Sequence, residues 1–510
     1  MLEQAPSSLP NEATTEPSLL AAIDLGSNSF HMVVAHHTQG ELKPIDLLSE
    51  KVQLAAGLDE NKILSDEAKE RGLDCLRRFA QRISSLPRES VRVVGTNSLR
   101  EAHNAKDFMD EASQILGVPL EIIAGREEAR LIYLGVSHSL ADDQGKRLVV
   151  DIGGGSTEFI IGERFEPIEL ESLHLGCVSF SKRFFADGSL SPERFNKAKT
   201  AARRELLSIQ DTYCALGWSS AVGSSGTIKA VKNAIIACGY SEDGLITPKA
   251  LKQLSQHILT FDRCEEVKID GIKPERLKVL PAGLAILCGL FEALGIKDMT
   301  FSDGALREGL LYDMTGRLSH EDVRERTVTA LMQRYHVDAV RAEQVEAIAL
   351  LGWAQIKNAW QLQSPHYHDM LRWGALTHSV GLAISHSQYH KHGAYLLRHS
   401  DLPGFTQFDQ ELLAILARGH RRKLPKEEFK QLPSHLLTPY RYLCVLLRLA
   451  VLLQRSLGSG RLPAIDMVAD ENKLELTFPQ GWLDHHPLTA ADLEQEAEYL
   501  KAIEFKLKIR

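Results

Sequence analysis

The chain has 510 residues, of which 44% are hydrophobic and 25% charged, and its formal net charge is −8. This composition is typical of a globular protein with sizeable cores, and the length favours about three or four domains. The acidic balance excludes a global positive field for nucleic acid, so a bound polyanion would need local positive charge.

The seven cysteines are scattered and form no CxxC pair, which indicates reduced thiols and a cytoplasmic protein. Residues 1–18 are polar, Pro-rich and acidic, so we expect a disordered tail and not a signal peptide. The most apolar stretches, 279–290 and 442–453, are too short to span a bilayer, so we expect no stable membrane insertion.

From about residue 19 to 320, short β-branched stretches alternate with amphipathic ones. This alternation predicts a mostly parallel sheet with helices around it. The predicted strands are 91–96, 120–125, 147–154 and 219–226, and the predicted helices are 65–83, 106–116, 127–139 and 192–213. After residue 320 the pattern is mainly helical, with one late strand at 473–479.

One phrase occurs twice in the first part of the chain, as "AIDLGSNSF" (22–30) and "VVDIGGGSTEF" (149–159). In each copy an apolar strand delivers an aspartate, Asp24 or Asp151, to a Gly/Ser turn that leads into another strand. Such turns can cradle phosphate with their backbone amides, and the aspartate can hold a divalent cation. Two matched copies predict two α/β halves that grip one phosphate chain.

A third glycine-rich segment, "AVGSSGTIKA" (221–230), ends a strand at Gly223 and begins a helix at Thr227. The free N–H groups of a helix start favour an anion. An ordinary strand–helix turn remains the alternative for this segment.

With these motifs the sequence resembles the exopolyphosphatase / guanosine pentaphosphate phosphohydrolase family. The resemblance covers about residues 20–315, and the helical C-terminal part resembles the long bacterial members. The motifs that carry it are "AIDLGSNSFHM", "VVGTNSLREAHNA", "IIAGREEARLIYLGV", "VVDIGGGSTEF", "LGCVSF", "GSSGTIKA" and "SDGALREGLLYDM".

The resemblance implies a role for individual residues. Glu128 would be the catalytic carboxylate that orients or deprotonates the attacking water, and Arg100 would clamp phosphate. Asp24, Asp151 and Glu158 would hold Mg²⁺, an ion that hard oxygen ligands and phosphates suit. The further phosphate-cradle candidates are Asn28, Ser29, Gly153, Gly154, Ser156, Gly226 and Thr227.

The implied fold class is α/β, with two RNase H-like domains of the superfold shared by actin, heat-shock chaperones and sugar kinases, plus a mainly helical C-terminal region. The predicted limits are a tail at 1–18, domain I at 19–130, domain II at 131–315, a helical HD-like domain at 316–435 and a small α+β domain at 436–510. The HD-like resemblance is to the fold and not the activity, because His378 is followed by Ser379 where that fold has an aspartate.

The basic segment "RGHRRKLPKEEFK" could line a path for a long phosphate chain, with a solvated helix face as the alternative. Its predicted path residues are Arg418, Arg421, Arg422 and Lys423.

The sequence favours an Mg²⁺-dependent exopolyphosphatase that releases terminal orthophosphate from polyphosphate. The alternative is hydrolysis of the 5′ γ-phosphate of pppGpp to give ppGpp, possible in the same site. A sugar-kinase-like phosphotransferase and a non-catalytic polyphosphate or alarmone sensor are further alternatives. The resemblance also implies a homodimer, and no sequence feature points to a nucleic-acid partner.

Overall fold

The computed structural model describes residues 18–38, 41–140, 145–318, 322–430, 432, 434–457 and 463–510. The chain divides into two compact units, Met1–Glu321 and Asp322–Arg510. The predicted tail falls almost wholly on residues outside the described ranges. The predicted limits of the separate domains stay predictions.

The first unit contains two five-stranded sheets with helices around them, which confirms the predicted α/β class. The prediction of a mostly parallel sheet is wrong, because both sheets are mixed and half of the strand pairings in each are antiparallel. Its strands are β1 (Ser18–Leu25), β2 (Ser29–Thr38), β3 (Glu41–Lys51), β4 (Val91–Gly95), β5 (Leu120–Ile122), β6 (Lys146–Ile152), β7 (Thr157–Glu163), β8 (Glu166–Leu173), β9 (Ser220–Ser224) and β10 (Thr300–Phe301).

The helices of the first unit follow the strands in the expected alternation. They are α1 (Asp66–Ile83), α2 (Asn97–Glu101), α3 (Ala105–Leu116), α4 (Gly125–Ser139), α5 (Cys177–Phe184), α6 (Pro192–Leu216), α7 (Ser225–Ala237), α8 (Pro248–Ile258), α9 (Pro274–Leu277), α10 (Leu280–Leu294) and α11 (Leu306–Leu318). Short 3₁₀ helices occur at Leu54–Gly57, Arg88–Ser90 and Cys264–Glu266.

Local sequence signals explain several helix ends. The Ser65 side chain accepts a hydrogen bond from the N–H of Ala68 at the start of α1. The Ser191 side chain does the same for α6, whose first residue is Pro192, a residue that has no N–H to satisfy.

The two sheets have the same topology, which explains why the sequence repeats a phrase. The first sheet has the order β3-β2-β1-β4-β5, and the second has the order β8-β7-β6-β9-β10. In both, the first three strands pair antiparallel and the next pairing is parallel. The repeated aspartates therefore occupy equivalent places, each near the end of the first strand of its sheet.

Helices α4 and α11 cross at very short range beside the strands of both sheets. A Cβ added at Gly309 of α11 would lie 1.8 Å from the carbonyl oxygen of Leu131 of α4, and one at Gly135 would lie 2.2 Å from that of Ala305. The cluster of buried side chains here includes Ala22 of β1, Val149 of β6 and Leu310 of α11. The crossing therefore requires glycine, because any side chain would push the helices apart.

The second unit is mainly helical with one small sheet. Its elements are α12 (Val323–Arg334), α13 (Ala339–Ile356), α14 (Pro365–Thr377), a 3₁₀ helix (Val380–Ala383), α15 (Tyr389–His399), α16 (Gln407–Gly419), α17 (Lys426–Lys430), α18 (Ser434–Leu457), β11 (Asp466–Asp470), β12 (Lys473–Thr477), α19 (Pro487–Lys501) and β13 (Lys506–Ile509). The predicted late strand is confirmed as β12. The sequence analysis missed β11 and β13, which pair with β12 on its two sides.

One helix of the second unit is longer than the sequence suggested. Leu436–Arg455 of α18 is long and apolar enough to cross a membrane by length and composition alone, but 67% of that window is buried inside the protein. Arg448 in its middle is 2% exposed and donates to Glu496 and, at 2.5 Å, to the carbonyl of Gly419. Its apolar residues therefore form a protein core.

Replacing Gly309 by alanine should lower the free energy of unfolding of the first unit by about 1–3 kcal/mol, because the new Cβ would overlap α4. Chemical unfolding of the full chain would measure it. The control is Gly393→Ala on α15, where the nearest heavy atom would lie 3.5 Å away. We expect this control to be neutral or stabilising by about 0.5–1 kcal/mol. Equal effects of the two changes would contradict the close crossing.

Candidate active site

The two repeated segments form turns that contact each other. The first loop (26–28) joins β1 to β2, and the second loop (153–156) joins β6 to β7. A Cβ on Gly154 would lie 3.0 Å from the Cβ of Ser27, so the two loops are in close contact at this point. The two loops of the repeated phrases therefore lie close together, as a shared grip on one phosphate chain would require.

The predicted cradle residues lie in or beside these loops. The Asn28 side chain donates to the Ser29 hydroxyl at 3.3 Å, at the start of β2. The N–H of Gly153 donates to the carbonyl of Ser156 at 2.9 Å, which closes the second loop. Ser29 and Ser156 are both buried. The loops are thus held by their own hydrogen bonds.

The strand register places a second polar side chain opposite each repeated aspartate. Asp151 of β6 lies opposite Glu158 of β7, and Asp24 of β1 lies opposite His31 of β2. Residues opposite each other in an antiparallel pair point to the same face of the sheet. His31 is therefore the counterpart of Glu158, and its Nδ1 lies 3.7 Å from Asp24 Oδ2.

The buried carboxylates repel one another. Burial raises the pKa of Asp24 well above its usual value, and Glu128 raises it further. Burial and the charge of Glu128 also raise the pKa of Asp151, to about 7, although a Ser224 hydrogen bond opposes this. Burial, Glu128 and Asp151 raise the pKa of Glu158. Burial and mutual repulsion therefore disfavour the ionised forms of these three carboxyl groups, and a nearby cation would offset this.

Glu128, the second of two adjacent glutamates at the start of α4, raises the pKa values of these carboxyl groups. Its Oε2 accepts from Arg100 Nη1 at 2.7 Å, and the same nitrogen donates to the carbonyl of Ile123 at 2.9 Å. Glu127 instead pairs with Arg130 through two hydrogen bonds of 2.8 Å. The geometry thus places the predicted catalytic carboxylate in the cluster, and it places Arg100 beside Glu128.

The third glycine-rich segment forms the start of α7. Ser225 has a φ of 80°, a left-handed conformation that is rare for a residue with a side chain. Its hydroxyl donates to the carbonyl of Ile152, at the end of β6, at 2.9 Å. The Thr227 hydroxyl contacts Cys177 Sγ at 3.4 Å, so only its backbone would face an anion here. A Cβ on Gly226 would meet the guanidinium of Arg276 at 2.5 Å.

Three residues near this cluster were not assigned to a site from the sequence. Arg307 and Arg276, together with burial as the main cause, lower the pKa of His31 to about 4, so the imidazole is neutral near pH 7. Arg307 also opposes the raised pKa of Asp24. Aligning the two repeated phrases on their aspartates would have found His31. Arg276 has no local motif, and Arg307 lies in the motif "SDGALREGLLYDM", to which no site role was given.

The turn before α11 contains Asp303, a residue type that often caps the start of a helix. Asp303 pairs with Lys229 at 2.6 Å instead. The N–H of Ala305 is satisfied by the Glu308 side chain at 2.9 Å. A charged partner across the turn outweighs the local cap.

The carboxylate cluster fits a hydrated divalent cation. Asp24 Oδ1 is buried and accepts no hydrogen bond, although carboxylate oxygens are strong acceptors. Among the described residues, no three His, Cys, Asp or Glu side chains lie close enough to hold a metal alone. Mg²⁺ keeps several waters and needs one or two carboxylates together with phosphate oxygens, so Asp24, Asp151 and Glu158 suit this ion and not a closed metal cage.

The predicted phosphate-path residues lie in the second unit. Arg418 is near the end of α16, and Arg421, Arg422 and Lys423 form the turn that follows it. His420 begins this turn, and its ring centroid lies 5.3 Å from that of His378, the histidine of the HD-like comparison.

Comparisons with known proteins agree with this architecture. Residues 33–318 match the Ppx/GppA phosphatase family, and residues 323–497 match Ppx/GppA phosphatase, domain III. The chain is 43% identical over 502 residues to the guanosine-5′-triphosphate,3′-diphosphate pyrophosphatase of Vibrio cholerae serotype O1, which covers 98% of this chain and 99% of that relative.

Solved structures show the same fold. A Ppx/GppA family member of Aquifex aeolicus is 26% identical with a TM-score of 0.51, covering 60% of this chain and 99% of that one. An exopolyphosphatase of Cytophaga hutchinsonii is 22% identical with a TM-score of 0.54, covering 58% and 97%, and at this identity it shows the fold alone. The predicted fold class is confirmed.

We expect Asp151→Asn to stabilise the metal-free protein at high pH. Folding raises the Asp151 pKa from 3.8 to about 7, so the wild-type protein loses stability as the pH rises between these values. Asparagine removes that loss, giving a gain of about 2–4 kcal/mol at pH 8 and little at pH 4. Chemical unfolding with a chelator at several pH values would measure the difference.

A matched control is Asp187→Asn. Hydrogen bonds from Ser189 and Arg194 hold the Asp187 pKa at about 2, so this change should destabilise the protein near neutral pH, the opposite sign. A stability difference between wild type and Asp151→Asn that is constant from pH 4 to 8 would contradict the raised pKa.

Proposed function

Because this chain belongs to the Ppx/GppA phosphatase family, we propose that it removes the 5′ γ-phosphate of pppGpp and produces ppGpp. The observation that carries the proposal is the 43% identity over 98% of the chain to a relative named for that substrate. The sequence analysis favoured polyphosphate and gave pppGpp as the alternative. We reverse that order because the full-length relative points to the nucleotide, whereas the Cytophaga exopolyphosphatase shares only the fold.

In the proposed reaction, water attacks the terminal phosphorus and the phosphoanhydride P–O bond breaks, which releases orthophosphate. Glu128 orients this water and accepts its proton. Its hydrogen bond from Arg100 at 2.7 Å fixes the carboxylate, and the guanidinium remains beside the reacting phosphate to balance negative charge. The amides of the first and second loops bind the non-reacting phosphate oxygens.

The cofactor we propose is Mg²⁺, held by Asp24, Asp151 and Glu158 through oxygen atoms or bound water. When bound, it would neutralise the phosphate oxygens and the crowded carboxylates. The raised pKa values of the three carboxyl groups support this assignment, since each is destabilised as an anion without a nearby cation.

Polyphosphate remains the second candidate substrate because of the basic turn in the second unit. Within the described residues, Arg421, Arg422 and Lys423 have no carboxylate partner, whereas Arg418 lies 3.7 Å from Glu428. Buried Arg448 holds the turn by donating to the carbonyls of Gly419 and Arg422. Positive side chains that are held in place without a neutralising carboxylate are suited to bind a polyanion.

The neighbouring start of α15 adds to this positive surface. The helix begins after Gln388 without a side-chain cap or an acidic residue in its first turn. The Arg421 guanidinium lies 4.7 Å from the centre of the Tyr389 ring, and buried His390 has an Nδ1 with no hydrogen-bond partner. We propose that Arg418, Arg421, Arg422 and Lys423 contact phosphate chains here.

Two further features belong to the proposal. All seven cysteines are free, which supports a reducing cytoplasmic location. A homodimer is proposed from the family resemblance, and light scattering of the purified protein would test it.

Phosphate release from pppGpp, long polyphosphate and ATP, measured in parallel with Mg²⁺, tests the function. We expect the highest kcat/KM for pppGpp. Glu128→Gln should lower kcat by about 10²–10⁴-fold, because it removes the base and keeps the shape. The control is Glu193→Gln, an exposed glutamate paired with Lys197, which should leave kcat unchanged.

Each contrary outcome of this assay has a distinct meaning. Faster release from polyphosphate would restore the first candidate of the sequence analysis. ATP turnover only with a second acceptor substrate would indicate a phosphotransferase. Tight binding of pppGpp without release would indicate a sensor and contradict the catalytic role of Glu128.

Chelation of divalent ions should abolish release, and added Mg²⁺ should restore it. Asp24→Asn should raise the Mg²⁺ concentration for half-maximal rate by at least about tenfold, because it weakens an oxygen ligand of the ion. The control Asp187→Asn should not change this concentration. An unchanged Mg²⁺ requirement in Asp24→Asn would remove Asp24 from the metal site.

A further inference from the structure

The two adjacent glutamates at the start of α4 have separate environments. Glu127 is 4% exposed, and both of its carboxylate oxygens accept from Arg130, three residues later on the same helix. Glu128 points toward the carboxylate cluster and Arg100. Successive residues on a helix point about 100° apart, so fixing Glu127 also fixes the direction in which Glu128 leaves the helix.

Arg130 is held from a second helix. Its Nη2 donates to Asp313 Oδ1 of α11 at 2.6 Å. The other oxygen of Asp313 accepts from Arg92 Nη1 of β4 at 2.6 Å, and Arg92 Nε donates to Glu121 of β5 at 3.2 Å. Asp313 thus joins two guanidinium groups, one from the helix of Glu128 and one from the first sheet.

The ion pairs that join Arg130, Asp313 and Arg92 are buried, and the backbone fixes the distances between them. Arg92, Arg130 and Asp313 are 5%, 7% and 6% exposed. Gly309 and Gly135 leave no space between α4 and α11 where the helices cross. The crossing therefore keeps Asp313 beside Arg130. A displacement of α11 would therefore reach Arg130 directly.

The pairing with Arg130 also neutralises the negative charge of Glu127 near the site. Glu127 would be one more carboxylate beside a group of acids whose pKa values are already raised. Paired with Arg130, it adds little net negative charge there. A buried ion pair of this kind is weak evidence for stability by itself, because apolar side chains of similar volume often stabilise a fold as well.

We propose that Asp313 is a positioning residue for Glu128, which acts by holding Arg130 and, through it, Glu127 and the first turn of α4. Asp313 touches neither substrate nor the reacting water. The inference rests on the proposed role of Glu128 in phosphate release. Loss of the Asp313 carboxylate would leave the two phosphate-binding loops intact. It would misplace the Glu128 carboxylate, which orients the water.

The test compares Asp313→Asn with wild type in steady-state phosphate release from pppGpp, at a temperature well below unfolding of both. We expect kcat to fall by about 10- to 100-fold, since a misplacement of about 1 Å can have that effect, while KM changes by less than about twofold. The matched control is Asp187→Asn, an exposed aspartate that also receives two arginine hydrogen bonds, of 2.8 and 2.9 Å from Arg194. It should leave both constants unchanged.

A double-mutant cycle separates positioning from loss of stability. If Asp313 acts through Glu128, then Asp313→Asn should have almost no further effect on the residual single-turnover rate of Glu128→Gln. The effects on chemical unfolding should still add. The inference would be overturned if the double variant lost rate by the product of the two separate factors. An unchanged kcat in Asp313→Asn would overturn it as well.

Two additional variants keep the test decisive. If Asp313→Asn does not fold, Arg130→Lys retains the charge but loses the two-pronged grip on Glu127, and it should reproduce the selective fall in kcat. Asp313→Glu should recover part of the rate. If Glu128→Gln itself releases phosphate at the wild-type rate, the catalytic role of Glu128 and the positioning role of Asp313 both fail. If the wild-type protein releases no phosphate from pppGpp, the proposed function fails, whatever Asp313→Asn shows.

Discussion

The candidate active site depends on the crowding of carboxylates beside two loops that are in contact. Asp24, Asp151, Glu158 and Glu128 are brought together because the ends of two equivalent strands meet. The loops approach closely where Gly154 faces Ser27, and a Cβ at Gly154 would make a tight contact of 3.0 Å with the Ser27 side chain. Burial and mutual repulsion also raise the pKa values of Asp24, Asp151 and Glu158 in the metal-free protein. The same repulsion makes the cleft receptive to a cation and a phosphate together.

The surrounding fold answers this repulsion with a few well-placed arginines. Arg100 holds Glu128, Arg130 neutralises Glu127, and Arg307 opposes the raised pKa of Asp24. Two of these arginines, Arg130 and Arg307, lie on or contact the helices that cross through glycine. The architecture thus joins the catalytic candidate to the packing of both sheets, and small shifts in that packing would be felt in the site.

Much of the fold could be predicted from the sequence because it follows from local patterns. The alternation of strands and helices, the two aspartate loops and the separation of a helical second unit all come from periodicity and repetition. His31 was missed because its place opposite Asp24 follows from strand register, which an alignment of the two repeated phrases would have indicated. Arg276 was missed because it reaches the site through contacts distant in sequence. The small strands β11 and β13 were missed because each is short and gains its stability from pairing with β12. The separate environments of Glu127 and Glu128 depend on α11, almost two hundred residues later, and no local pattern shows it.

The late arrival of α11 also bears on how the protein is made. Residues Leu20 and Ala22 of β1 belong to the same buried cluster as Leu306 and Leu310 of α11. On the ribosome, β1 emerges long before α11 is synthesised, so this apolar face stays incompletely covered while the intervening residues are translated. Contacts between distant segments form slowly and leave partly folded chains open to aggregation. The buried face of the first sheet can therefore be completed only after α11 has been synthesised.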